Sequence, residues 1–316
     1  MEARGTCTAD TVPAPKVEGR HILVRVAGLG STSEKGAIDN VDATALGYAD
    51  ADVYRYSYRG GTATEHPYAA TDTTADIRES ARRLRELLAR IEADNPGVPV
   101  DIVAHSQGGL VARSALTDEV DPADGRLPKV NALVTLGTPH LGTPVATGLT
   151  MMGHTTVGQV AMAGAHALLP DKIDPAGMSV TQMAEESEFL RRLNRRPLPA
   201  GLKVTSIGAR EDLAVPAGRT LLAGAKNITV SATGHFNDHG NLPGSPQAQR
   251  EIALGMAGMG PTCESFGDAM ADAATSGFIY AAESTLGEAA WGGTRFFDRK
   301  IGEAVPGPTI PRKYNS

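Results

Sequence analysis

Apolar runs and helical stripes alternate along this chain. Residues 21–32, HILVRVAGLGST, begin as a β-favouring run and end in a glycine-rich turn. Residues 51–58, ADVYRYSY, alternate with period two and predict a second strand. In the segment TDTTADIRESARRLRELLARIEADNPG, Ile77, Leu84, Leu88 and Ile91 fall on one helical stripe. Asp72 to Thr74 offer caps for that helix, and Pro96-Gly97 stops it. VPVDIVA predicts a short buried strand, and residues 107–116 a helix that follows at once. KVNALVTLGTPH, GLKVTSIGA and KNITVSA are three further strands, and SPQAQREIALGMAG is a closing helix.

Strands that are nearly all apolar and alternate with helices imply a mostly parallel central sheet, covered by helices on both faces. In such α/β folds ligands bind outside the carboxyl ends of the strands. Two segments break the alternation. Residues 141–199 contain no β-like run; they are rich in Ala, Gly and Met, then turn charged and helical in SVTQMAEESEFLRRLNRR. An insertion of that length between strands suits a helical cap or lid. Residues 261–316 form an Ala-rich helical extension with a loose end, and residues 1–19 a tail, which leaves 20–260 as the α/β domain.

The chain has 316 residues, 41% hydrophobic and 21% charged, with a net charge of −6 and both signs interspersed. That composition is globular, and it lacks the basic footprint of a nucleic-acid binder. No run reaches the roughly 18 apolar residues of a spanning helix. The first residues carry no apolar run after their charges, so they do not form an intact signal peptide. Either the protein is cytosolic or a secretion segment has been removed. Cys7 and Cys263 lie near opposite ends of the chain. They are two free thiols, or a disulfide that implies an oxidising, extracytoplasmic compartment.

The chemistry concentrates at AHSQGG, residues 104–109, where the buried strand hands over to the helix. In a strand-to-helix elbow a nucleophile takes strained backbone angles, and residues two positions to either side must be small. Ala104 and Gly108 satisfy this around Ser106. The alternative is a serine that merely caps the helix. A serine nucleophile needs a base, and the base a carboxylate that orients it, on loops after later strands. AREDLAVP offers Glu211 and Asp212, with Asp212 favoured because it precedes the Val-Pro turn. TGHFNDHGNLPGSP offers His239 and, as runner-up base, His235; Asp238 reads as a solvated turn residue. Oxyanion donors are the Gln107 amide at the helix start and, in VAGLGST, the Leu29 amide, with Gly30 next. His105 is expected to pack in the elbow and His140 to line the mouth of the site. Leu149, Met151, Met152, Val157 and Met162 are either acyl-chain contacts or plain helix core. No metal-ligand spacing appears, no cofactor motif fits, and GLGSTSEKG lacks the dinucleotide spacing.

Taken in order, VAGLGST, YSYRGG, AHSQGGLVAR, VTLGTPHLGTPVA, IGAREDLAVP and HGNLPGSP resemble the lipases and esterases of the α/β-hydrolase superfamily over roughly residues 20–260. The resemblance is to the bacterial lipase branch related to GPI-inositol-deacylase-like proteins. It implies a serine carboxylic-ester hydrolase working through an acyl-enzyme. Its nucleophile would be Ser106, its acid Asp212, its base His239 and its oxyanion donors Leu29 and Gln107. Its partner would be an acyl ester or lipid, with possible contact to a lipid surface; oligomeric state is not legible. Ala27 stands where many relatives have His, and Ala104 where most have Gly. The rival readings are an acyltransferase on the same fold, a hydrolase of a thioester, lactone or amide, and a non-enzymatic binding module.

Overall fold

The computed structural model describes residues 7–117, 129–152, 174, 176–232, 238–263, 281 and 285. Its strands are β1 (Ile22–Val26), β2 (Val53–Arg55), β3 (Val100–His105), β4 (Val130–Leu136), β5 (Lys203–Ala209) and β6 (Lys226–Val230). They pair throughout in parallel, in the order β2-β1-β3-β4-β5-β6. Alternate residues of the central strands feed opposite faces. Val24, Val26, Ile102 and Ala104 join a core with helices α1 (Ile77–Asp94) and α2 (Gln107–Leu116). Leu23, Val103, Ala132 and Val134 face the closing helix through Ile252, Ala253 and Met256. Burial on both faces is why these strands read as continuous apolar runs.

Chain order and space differ at one place that matters. β1 lies between β2 and β3, so the chain leaves the sheet centre in opposite directions after β1 and after β3. The loops at the carboxyl ends of these two strands therefore flank a crevice. The turn after β1 carries Leu29, and the elbow after β3 carries Ser106.

Three expectations need correction. The ADVYRYSY strand is ladder-paired only over Val53–Arg55, because Tyr56 and Tyr58 turn inward: their hydroxyls donate to the carbonyls of Ser80 and Ala27. The cap of α1 is Asp76, whose side chain accepts from the Arg78 amide at 2.8 Å, while residues 70–74 form a separate 3-10 turn. Within 141–199 the charged helix is two helices, preceded by α3 (Pro144–Met152). These are α4 (Met178–Met183) and α5 (Glu188–Asn194), separated where Glu186 adopts a φ of 56°. Ser187 then caps α5 by accepting from the Leu190 amide.

Thr8 bridges in parallel to Thr262, and the Cys7–Cys263 disulfide joins the two segments beside that bridge. No helix among the described residues is long and apolar enough to cross a membrane. The closing helix α7 (Pro246–Ala257) follows a short α6 (Asp238–Asn241), which carries His239.

Candidate active site

Ser106 has φ 55° and ψ −132°, a conformation that a side-chain-bearing residue holds only when its surroundings enforce it. Its amide donates to the Leu136 carbonyl at 2.8 Å, which ties the elbow to β4. Close packing fixes the other side. A Cβ on Gly108 would lie 2.5 Å from the Val26 carbonyl oxygen, so only glycine lets α2 start this close to β1. One on Gly28 would lie 2.6 Å from the Ser106 Cβ, so the β1 turn passes directly against the serine. Ala104, beneath the elbow, is fully buried.

His239 Nε2 stands 2.9 Å from Ser106 Oγ, and its Nδ1 stands 2.7 Å from Asp212 Oδ2. The chain distances are long, 133 and 27 residues, so only the sheet brings the three together. Asp212 is fully buried, and its second oxygen accepts from the Ala214 and Val215 amides at 2.8 and 2.7 Å. Those two bonds leave Oδ2 aimed at the imidazole. The His239 side chain is 21% exposed. Burial alone would pull its pKa down, but the charge and hydrogen bond of Asp212 outweigh that and hold it above the ordinary imidazole value.

The loops that carry Asp212 and His239 are also fastened to each other. Asp238 is fully buried, and its Oδ2 accepts from the Glu211 amide at 3.3 Å and the Ala232 amide at 3.4 Å. It is a strut between the two loops, not a solvated turn residue. His105 packs in the elbow and also donates from Nε2 to the His239 carbonyl at 2.8 Å. Burial, then the neighbouring His239, lowers the His105 pKa to about 3, so its ring is neutral.

Gly30 N–H donates to Thr73 Oγ1 at 2.9 Å, which occupies it, whereas the Leu29 N–H meets no acceptor among the described residues. Gln107 is the first residue of α2, so its N–H lacks an intrahelical partner. The Gln107 side chain donates from Nε2 to the Thr73 carbonyl at 2.7 Å. Fully buried Thr73 thus holds both the β1 turn and the start of α2. Tyr58 adds a third tie by donating to the Ala27 carbonyl at 2.7 Å. Sequence reasoning missed Thr73 and Tyr58; nothing in their local spacing marks them.

Other candidates fall elsewhere. His140 does not line a mouth: it is fully buried, contacting Arg113 at 3.2 Å through Nδ1 and Thr135 at 3.1 Å through Nε2. Burial and the Arg113 charge hold its pKa well below the ordinary value. Leu149 packs partly buried against the core that contains α1 and α2. Met151 and Met152 end α3, but their side chains, like His235, Val157 and Met162, lie outside the described residues.

Among solved structures the chain is similar to lipase B from Aspergillus fumigatus, at 16% identity and TM-score 0.51, covering 88% of this chain and 65% of that one. It is also similar to mature lipase BlEst2 from Bacillus licheniformis, at 18% identity and TM-score 0.49, covering 78% and 96%. Phospholipase PlaB from Legionella pneumophila is a further similar structure, at 17% identity and TM-score 0.42, covering 61% and 39%. The chain spans 37% and 39% of the length of PlaB in its two structures. No curated protein matches the chain. The all-parallel sheet and the likeness to lipase B give an α/β-hydrolase fold. Residues 6–172 match the family described as Domain of unknown function (DUF7379), and the chain belongs to that family.

Proposed function

We propose that this chain is a serine carboxylic-ester hydrolase of the lipase and esterase kind, with Ser106 as nucleophile, His239 as base and Asp212 as the carboxylate that orients it. The observation that carries the reading is the relay from Asp212 Oδ2 through His239 to Ser106 Oγ, at 2.7 and 2.9 Å. His239 Nε2 takes the Ser106 proton as Oγ attacks the ester carbonyl carbon. The carbonyl π bond opens, and the negative oxygen that results rests on the Leu29 and Gln107 amides. As the tetrahedral intermediate collapses, the bond to the alkoxy oxygen breaks and His239 returns the proton to the departing alcohol. Water then repeats the cycle on the acyl-enzyme, releasing the carboxylic acid and free serine. Asp212 stays ionised throughout and stabilises the imidazolium that forms at each proton transfer.

Residues 20–260 form the hydrolase domain in this reading, 141–199 the cap over its site, and Met151 and Met152 meet the acyl chain. The Cys7–Cys263 disulfide supports an extracytoplasmic setting, where such bonds persist. Lipid esters and a lipid surface are the partners this chemistry suits. Turnover of p-nitrophenyl esters of graded chain length, with Ser106→Ala alongside, tests the reading. The variant loses on the order of 10⁴-fold or more in kcat. Undiminished turnover in Ser106→Ala removes the proposal.

A further inference from the structure

No residue of VTLGTPHLGTPVA, the stretch that leaves β4, takes part in the relay from Asp212 to Ser106. Yet the end of this strand meets all three members of that relay. The Leu136 carbonyl accepts from the Ser106 amide at 2.8 Å. Gly137 follows with a φ of 57° and lies against the bonded pair of His239 and Asp212. A Cβ at 137 would stand 3.1 Å from His239 Nδ1, 3.2 Å from its Cε1 and 3.4 Å from Asp212 Oδ2. Imidazole and carboxylate thus close up to a backbone that has no side chain to hold them off.

The strand end has little room to retreat. Gly137 N–H donates to the Ile207 carbonyl at 2.8 Å, which holds it to β5. Thr138 is fully buried and presses on α2: a Cβ on Gly109 would lie 2.0 Å from Thr138 Oγ1 and 2.6 Å from its Cγ2. A methyl group at 137 would sit well inside the roughly 3.5–4.0 Å at which non-bonded atoms pack best. With α2 and β5 behind the strand end, the side that gives is the half-open His239 ring. A left-handed φ alone does not account for this packing. Gly201 has a φ of 79°, and a Cβ there would meet nothing within 4 Å.

We infer that Gly137 is a positioning residue for the proposed reaction: its bare backbone seats the His239 imidazole on Asp212 Oδ2 and at hydrogen-bond distance from Ser106 Oγ. The inference rests on the hydrolase reading. Leu136 holds the serine and Gly137 the base from adjacent positions of one strand. The gap between two side chains 133 residues apart in sequence is therefore set over two neighbouring residues. A side chain at 137 shifts the ring by a few tenths of an ångström, away from the line that joins carboxylate and hydroxyl. Binding of an ester is untouched by that shift, whereas proton transfer is not.

The test sets Gly137→Ala beside Gly201→Ala, which carries the same kind of backbone strain without the contact. Steady-state kinetics are paired with the downfield proton resonance of His239 Nδ1–H, assigned by its absence in His239→Gln. Gly137→Ala is expected to lower kcat by about 10- to 100-fold with KM within about twofold of the unaltered protein. The resonance moves upfield as the bond to Asp212 weakens. The acid limb of kcat/KM moves to lower pH, because that carboxylate holds the imidazole pKa up. Gly201→Ala matches the unaltered protein in all three. Gly137→Ala combined with Thr138→Ser, which opens space behind the strand end, recovers part of kcat. Compared with Thr138→Ser alone, it also carries the test if Gly137→Ala does not fold. Unchanged kcat and resonance in Gly137→Ala, or an equal loss in Gly201→Ala, overturns the inference. Absence of Ser106-dependent ester turnover overturns the hydrolase reading instead, and the resonance then still decides whether Gly137 seats the imidazole.

Discussion

His105 donates a hydrogen bond of 2.8 Å to the carbonyl of His239, and the two rings lie 4.7 Å apart between centroids. The residue before the serine therefore grips the backbone of the residue that faces the serine. Removing that grip frees the His239 loop while leaving its side-chain chemistry intact. His105→Leu is expected to lower kcat by about 10- to 100-fold with little change in KM, as small misplacements of a catalytic group do. His105→Gln, which can donate to the same carbonyl, recovers part of the loss. Steady-state kinetics of both variants check this; a His105→Leu enzyme at full kcat would remove the positioning role.

The same residue makes stability depend on pH. With its folded pKa at about 3, His105 stays neutral where an unfolded imidazole, near 6.5, takes up a proton. Unfolding then binds a proton between those values, so stability falls as pH drops through that window, by up to about 1.4 kcal/mol per unit. Buried His140 acts in the same direction. Urea midpoints between about pH 7 and 5 should decline, and His140→Gln should flatten the decline. A slope unchanged by that substitution contradicts the assignment.

His239 has the opposite sign, and activity reads it. Its folded pKa is raised, so its contribution to stability is full below the unfolded value and is lost as pH rises through the folded one. A base must be neutral, so the acid limb of kcat/KM lies above the ordinary imidazole value of about 6.5. Asp212→Asn removes the charge that raises it. The limb then moves to lower pH while kcat falls by about 10⁴-fold. A pH–rate profile of each protein decides the point.

Much of the frame is legible in the sequence because it rests on local pattern. The helix read as 107–116 spans Gln107–Leu116, since the elbow glycines and the apolar run sit side by side. The period-two reading of 51–58 overshoots, because the inward turn of Tyr56 and Tyr58 depends on Ser80 and Ala27, far along the chain. The helix break at Glu186 is hidden in a segment whose composition is helical throughout, with Ser187 as its only sign. Asp212 could be favoured over Glu211 from its place before a turn. Thr73 could not be found, because its role exists only once β1 and α2 stand on either side of it.

Thr73 supplies a separate prediction. Thr73→Val keeps the carbonyl that accepts from Gln107 but deletes the acceptor for Gly30 N–H. The orphaned amide costs about 1–3 kcal/mol of stability. The slackened turn lowers kcat by about tenfold, a fraction of the roughly 10²–10³ expected for loss of a whole oxyanion donor. Thr73→Ser restores both. Chemical denaturation and kcat, measured on the two variants together, test whether the brace acts through its hydroxyl.

The terminal disulfide joins residues 256 positions apart. A tie of that span removes a large share of the freedom of the unfolded chain. Replacing Cys7 and Cys263 together with Ser should lower the unfolding free energy by about 2–5 kcal/mol. An unchanged denaturant midpoint in the double variant would show that the ends contribute nothing to stability.

The most direct measurement is covalent. A serine Oγ attacks the phosphorus of a fluorophosphonate probe, displacing fluoride, only where a neighbouring base and oxyanion donors activate it. Mass mapping of the labelled protein should find one adduct, on Ser106, that forms slowly or not at all in His239→Ala. A protein that takes up no probe, or takes it up at another residue, contradicts the account.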